Sequence, residues 1–324
     1  MGNSIVIPPS MSAIPRIAKS IIMIVTKRIN LFMTHNSVIE MKLAGLELKN
    51  PLMNAPGVCS YPPSLLKRWE AAGAGAVVTK PVGIEPRLGN KNPCLITPYQ
   101  GVAINCMGLP GPGYKHFLSE FKEYDFEVPL IIQVHGKDES EFGFLLREAR
   151  DYGDAFELNV SCPHAKTGGY HIGFNTKNLR KVLKESRKAT DKPIGVKLPY
   201  YSSDDEKLEK VIDVIEETDM DWITEINTLR AMDFDPKLGI PILSNKVGGQ
   251  SGKSIHFCAL AQVYKTRQLT ELPIIGSGGV EDSYDAKRFF GVGANAVQLG
   301  SGLASYHKKE DDIGSFVKAV LKDL

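Results

Sequence analysis

The chain has no Cys-x-x-Cys pair, no His-Glu-x-x-His, and no apolar run approaching the ~20 residues of a membrane-spanning helix. Its five cysteines (Cys59, Cys94, Cys106, Cys162 and Cys258) form an odd, scattered set. Such a set suits a reducing compartment and cannot supply the four-thiolate run of an iron–sulfur site. Without His-Glu-x-x-His, the seven histidines give no reason to expect a zinc site. Neither sign of charge prevails, with 39 Lys plus Arg against 37 Asp plus Glu. There is therefore no general case for nucleic acid or a strongly acidic partner.

Acidic residues are also absent from residues 14–33, where Ile and Met are mixed with Arg16, Lys19, Lys27 and Arg28. No apolar core with a small-residue cleavage site occurs there, so a secretory signal is not expected. Residues 1–38 read as a flexible basic extension, or as a stretch translated ahead of a start at Met33, in preference to a helix lying on a membrane. Residues 39–324 would then be one catalytic domain, long enough for an α/β barrel of about 250 residues. A cytoplasmic location is expected.

From residue 39 onward the pattern is regular. Residues 40–48 alternate around Gly45 and read as a hairpin. Short apolar runs then recur at 52–55, 76–79, 130–134, 155–160, 194–198, 222–227, 273–276 and 296–299, giving eight candidate strands. Helix-period segments lie at 64–72, 139–152, 176–189, 204–218, 254–269, 282–290 and 311–321, and Ser203 with Glu206 makes a capping box for one of them. Apolar strands separated by helices imply a parallel sheet covered by helices. Eight such units imply a closed (β/α)8 barrel with its active site at the carboxyl ends of the strands. A doubly wound open sheet is the alternative, but the first strand lacks the Gly-x-Gly-x-x-Gly turn of a dinucleotide site. Two long inserts, 81–129 and 229–253, read as lids or binding loops.

Polar residues punctuate the strand ends: Asn54-Ala55-Pro56-Gly57, Thr79-Lys80, Asn159 with Cys162, Lys197, Asn227-Thr228, Gly276-Ser277-Gly278-Gly279 and Gly300-Ser301. Glycine turns on the last two strands suit a phosphate held by backbone N–H groups. Lys80 and Lys197 at a barrel mouth need an anion or electron-rich ring to receive them. Together these point to a phosphorylated aromatic cofactor. Asn105, Asn159 and Asn227 could offer paired donor and acceptor edges to a planar polar substrate. Cys162, just past an apolar run, is placed for proton transfer or nucleophilic attack, against the plainer reading of a half-buried structural thiol.

With these motifs the chain resembles the class 1 dihydroorotate dehydrogenases, the cysteine-based, soluble branch of that flavin family. Further matches are Arg87-Leu88-Gly89-Asn90, Asn105-Cys106-Met107-Gly108-Leu109-Pro110, Asn159-Val160-Ser161-Cys162-Pro163, Val196-Lys197-Leu198, Ile226-Asn227-Thr228 and Gly248-Gly249-Gln250-Ser251-Gly252. The resemblance covers residues 39 to 324.

The resemblance implies FMN across the barrel mouth, oxidising (S)-dihydroorotate to orotate in pyrimidine biosynthesis. The FMN phosphate would lie on Gly278, Gly279, Gly300 and Ser301, with Gly252 nearby. Ala55, Gly57, Lys80, Asn159 and Lys197 would approach its ring and ribityl chain. Substrate would meet Lys80, Asn105, the backbone of Met107, Gly108 and Leu109, Asn159, His164, Asn227 and Thr228, with Cys162 as general base. Several positions depart from the family pattern. His164 stands where Asn is frequent, Pro81 where Ser or Thr is, and Cys94 where Arg is common. Glu225, inside the sixth strand, would face either the flavin or the surrounding helices.

The quinone-linked branch uses serine as base and a helical amino-terminal segment, so Cys162 argues against that role for residues 1–38. Fumarate-using members are homodimers, whereas NAD-using members recruit a subunit bearing FAD and an iron–sulfur cluster. Loops 166–169 and 247–252 look more like the NAD-linked branch; a homodimer is expected, joined by such a subunit if NAD is the acceptor, and the choice between NAD and fumarate stays open. Two other readings compete. One is a flavin-barrel dihydropyrimidine dehydrogenase acting on uracil or thymine, although those carry their cysteine further along the loop and residues 170–175 have none. The other is a phosphate-binding barrel without catalysis.

Overall fold

The computed structural model of the chain describes residues 41–161, 172–202, 204–306 and 311–324. The expected extension 1–38 and its boundary with the catalytic domain lie outside the described residues, as do Cys162 and His164. Eight parallel strands run β1 (Leu52–Asn54), β2 (Val77–Val78), β3 (Leu130–Val134), β4 (Ala155–Asn159), β5 (Ile194–Lys197), β6 (Trp222–Glu225), β7 (Ile274–Ser277) and β8 (Ala296–Leu299). They pair in the order β1-β8-β7-β6-β5-β4-β3-β2. A parallel bridge between Met53 and Ala76 joins the first strand to the segment leading into the second. The sheet therefore closes into the expected barrel.

Helices α1 (Pro63–Ala71), α2 (Tyr114–Phe121), α3 (Glu139–Ala149), α4 (Thr176–Ala189), α5 (Asp205–Glu216), α6 (His256–Leu269), α7 (Ser283–Gly291) and α8 (Asp312–Leu321) accompany the strands. Five of them start on an Asp or Asn whose side chain accepts a backbone N–H of the first turn: Asp138, Asn175, Asp204, Asp282 and Asp311. Each such cap contributes about 1 kcal/mol and fixes where strand-to-helix chain turns back. Ser203, from which a capping box was expected, lies outside the described residues, and α5 starts on Asp204. Its carboxylate accepts from Lys207 N at 3.0 Å, doing the same job one residue later. Helix α2 was not anticipated. It starts after Gly113, at φ +78°, in a Gly- and Pro-rich stretch, and it buries Phe117, Leu118 and Phe121.

Strand alternation sorts the side chains. Outward residues such as Phe156, Leu158, Val196, Ile223 and Val297 pack with the helices in one large core. Inward residues at the amino end (Met53, Ala76, Val78, Ile131, Ala155, Trp222, Ile275 and Ala296) form a second core with Leu43, Leu46 and Leu48 of the 41–48 hairpin. Gly195 makes this possible, because a Cβ there would overlap the Trp222 indole. Above this apolar plug the strands are not apolar throughout, contrary to expectation: Gln133, Glu157, Thr224 and Gln298 point inward and are buried.

The two inserts join into one antiparallel sheet, ordered 229–231, 248–251, 102–105 and 95–99. Gly249 pairs with Asn105, and Leu229 with Gln250. This sheet carries Asn105 and the residues just after Asn227–Thr228 on the two strands that flank 248–251.

Glu225 shares the outward parity of Ile223 and so faces the helices. Its Oε1 accepts from Thr266 Oγ1 at 3.0 Å and Gln262 Nε2 at 3.2 Å, both on α6. Its Oε2 has no hydrogen-bond partner among the described residues. Burial raises this carboxyl to about 7, against the pull of those bonds and of Arg267. An acid raised in the fold favours the folded state while protonated. The contribution is full below the ordinary carboxylate range and is lost as pH rises through about 7. Glu225→Gln should match the wild type at about pH 5 and gain on it with rising pH, reaching on the order of 3 kcal/mol. Thermal melts across that range check this, and a pH-independent difference would contradict it.

Candidate active site

The carboxyl mouth of the barrel collects the expected polar residues. Lys197, at the end of β5, is buried, and its Nζ donates to Gln298 Oε1 at 2.6 Å. Burial lowers its pKa, and the Glu157 carboxylate beneath opposes that shift. Lys80 follows β2, its backbone N–H donating to Ser60 O at 3.0 Å, and burial lowers its pKa too. It lines a pocket with Tyr61, Arg87, Leu109 and His135, which brings Lys80 and Leu109 to one cavity. Burial, with the Arg87 charge, pushes His135 down to about 4. His135 is therefore a neutral wall of this pocket at physiological pH.

Asn159, at the end of β4, donates to Gln133 Oε1 at 3.2 Å and accepts from Ser161 Oγ at 3.3 Å. Asn227 Nδ2 donates to Ser161 Oγ at 2.8 Å and approaches Asn159 Oδ1 at 3.5 Å. Its own Oδ1 accepts from Thr228 N at 2.8 Å. Asn159, Asn227 and Thr228 are thus one hydrogen-bonded group. Asn105 sits on the insert sheet, where its Nδ2 donates to Gly249 O at 3.3 Å. The Met107-Gly108-Leu109 turn needs left-handed backbone, with φ +78° at Gly108 and +55° at Leu109. Asn90 holds it through N–H···O to Met107 (3.0 Å) and Nδ2–H···O to Cys106 (2.7 Å).

At the ends of β7 and β8 glycine backbone forms a cradle. Gly278 and Gly279 take φ +145° and +64°, and Gly252 takes +93°. A Cβ on Gly279 would lie 2.6 Å from Gly252 O, and one on Gly278 would lie 2.8 Å from the Ala259 Cβ. His256 Nδ1 lies 2.9 Å from Gly278 O and steadies the turn. Gly300 abuts Ala55, whose backbone N–H donates to Leu299 O at 2.6 Å. Ser301 opens a short 3-10 helix (Ser301–Tyr306). Gly57 lies in the exposed turn beyond β1, with open space where its Cβ would be.

A cradle that only glycine can line, and two partly desolvated lysines at the ends of other strands, fit the phosphate of FMN and the negative charge its ring takes up on reduction. Its phosphate would be held by Gly252, Gly278, Gly279, Gly300 and Ser301, and its ring by Ala55, Lys80, Asn159 and Lys197. Residue-by-residue reading missed Gln133, Glu157, Thr224 and Gln298, which hold the mouth residues from below. The available signal was a polar residue at alternate positions inside runs read as apolar, such as Glu157 between Phe156 and Leu158.

Residues 38–321 match the dihydroorotate dehydrogenase family. The chain is 44% identical over 265 residues to the catalytic subunit of dihydroorotate dehydrogenase B (NAD+) from Pyrococcus furiosus, covering 82% of this chain and 87% of that one. It is 37% identical over 291 residues to the protein of the same description from Methanocaldococcus jannaschii, covering 87% and 94%. Among solved structures, the dihydroorotate dehydrogenase of Eimeria tenella in complex with ferulenol superposes with a TM-score of 0.74 at 19% identity. That alignment covers 96% of this chain and 91% of the other, and it supports the fold. The cradle makes a sharp prediction. Gly279→Val should purify without FMN while its circular dichroism matches the wild type, and a full complement of flavin on that variant would rule the cradle out.

Proposed function

The chain belongs to the dihydroorotate dehydrogenase family, and from that premise we propose how its barrel mouth oxidises (S)-dihydroorotate to orotate. The reaction serves de novo pyrimidine biosynthesis and depends on FMN. The observation that supports the assignment is that Lys80, Lys197, Asn159, Asn227 and the Gly278–Gly279 turn all follow the carboxyl ends of barrel strands, with Asn159, Asn227 and Thr228 in one hydrogen-bonded group. The matching family and relatives bear the dihydroorotate activity in their names, and the uracil-reducing alternative is not favoured.

Bound at the mouth, FMN supplies the acceptor for the hydride leaving C6 of the substrate. The chain's own residues orient the substrate and remove a proton. The three asparagines and Thr228 present fixed donors and acceptors to the pyrimidine ring, while Lys80 offsets the substrate carboxylate. The Met107-Gly108-Leu109 backbone, braced by Asn90, sets the ring's other edge. Cys162 Sγ takes the proton from C5 on the face opposite the flavin. The thiolate is the form that accepts the proton. His164 adds a donor from the same loop.

We assign residues 39–324 as the catalytic domain and residues 1–38 as a flexible basic extension, and we place the protein in the cytoplasm. The physiological acceptor in this reading is NAD, reached through a partner subunit with FAD and an iron–sulfur cluster. The description of the archaeal relatives as NAD+-linked catalytic subunits supports this. A homodimer accompanies it. Leu95 and Tyr99 on the edge strand of the insert sheet, and separately Phe234, Leu238 and Ile240 in the 234–241 hairpin, expose apolar surface suited to self-association.

Dihydroorotate added anaerobically should bleach the bound flavin of the isolated chain. Turnover with NAD should require the co-purified partner. Cys162→Ala should keep its FMN and lose about 10²–10⁴-fold in the rate of bleaching. Unchanged bleaching would remove Cys162 as the base, and no bleaching in the wild type would remove the reaction.

A further inference from the structure

The buried middle layer has a direction built into it. Glu157 accepts three hydrogen bonds: Oε1 from Gln133 Nε2 at 2.6 Å, and Oε2 from Thr224 Oγ1 at 2.6 Å and Gln298 Nε2 at 2.8 Å. An ionised carboxylate can only accept. Each glutamine must therefore turn its amide nitrogen to Glu157 and its oxygen away. For Gln298 that oxygen meets Lys197 Nζ at 2.6 Å, so Lys197 is held by an acceptor whose orientation Glu157 dictates. For Gln133 the oxygen meets Asn159 Nδ2 at 3.2 Å. Asn159 is then left with Oδ1 to accept from Ser161 N at 3.3 Å, Ser161 Oγ at 3.3 Å and Asn227 Nδ2 at 3.5 Å. Two relays thus leave one carboxylate and end at the residues assigned to flavin and substrate.

A central group able to donate as well as accept would free both glutamines to flip. Asn159, whose own sense is held by the Ser161 N–H, would then lose the acceptor that receives its amide, and Lys197 would lose its anchor. The carboxylate also lies one layer below the flavin position, where low dielectric lengthens its reach. Charge added to the ring on reduction is favoured by Lys197 and disfavoured by Glu157.

We propose that Glu157 is a positioning residue: it turns Gln133 to accept from Asn159, anchors Lys197 through Gln298, and lowers the potential of the flavin above it. This builds on the assignment of FMN and dihydroorotate to the mouth. No covalent step is added, and Glu157 touches neither ligand.

The test is Glu157→Gln in the full chain loaded with FMN, read by the flavin midpoint potential and by orotate binding from the flavin absorbance. The bound flavin should become easier to reduce by at least tenfold in its redox equilibrium, about 30 mV for a two-electron couple. Orotate should bind at least tenfold more weakly. Glu225→Gln removes a buried carboxylate from the outer face of β6, off both relays, and should move neither quantity comparably. If Glu157→Gln does not fold, Gln298→Met keeps the carboxylate and cuts the link to Lys197, and it should lower the potential instead.

A flavin-loaded Glu157→Gln or Gln298→Met chain with unchanged potential and orotate affinity overturns the inference. So does an equal shift in Glu225→Gln. A wild-type chain that takes up no FMN overturns the flavin assignment itself and this inference with it.

Discussion

A closed barrel gives inward side chains no solvent, so every polar atom placed there must find its partner inside. This chain meets that constraint with a gradient. The amino end is filled by Trp222, aliphatic residues and the leucines of the 41–48 hairpin, and is apolar. One layer up, Gln133, Glu157, Thr224 and Gln298 satisfy one another. At the mouth stand Lys197 and Asn159, each tied down to that layer. The rigidity of the mouth follows from the completeness of the layer beneath, because a half-satisfied network would cost stability and lose its geometry.

The rim is built by different means. Where a phosphate must approach backbone, glycines at Gly252, Gly278 and Gly279 adopt positive φ with no room for a Cβ. Where a planar substrate must be read, the inserts form their own sheet, and its register places Asn105 against Gly249 and starts the neighbouring strand just past Thr228. A rigid interior thus carries the cofactor side, and inserted strands carry the substrate side.

Much of this was legible in the sequence. Eight apolar runs with intervening helical periodicity gave the barrel, and polar punctuation at strand ends located its mouth. Glycine pairs after the last two strands located the cradle. Four features were not legible, each for a physical reason. Glu157 is flanked by Phe156 and Leu158, so a run that is buried on both faces reads as apolar even when its inward face is polar. Glu225 has the same sequence appearance as Glu157, and only strand parity sends one inward and the other toward α6. The insert sheet depends on pairing between segments more than a hundred residues apart, which local periodicity does not encode. Helix α2 is short and lies among glycines and prolines that mask its apolar face.

The account's central claim is that cradle, lysines and asparagines form one site for two stacked rings. A crystal structure of the chain with FMN and orotate tests it most directly. The account predicts the FMN phosphate on the backbone of Gly278 and Gly279 and Lys197 Nζ against the flavin ring. It also predicts orotate between that ring and the side chains of Asn105, Asn159 and Asn227. A flavin phosphate bound elsewhere, or orotate out of reach of those asparagines, would contradict it.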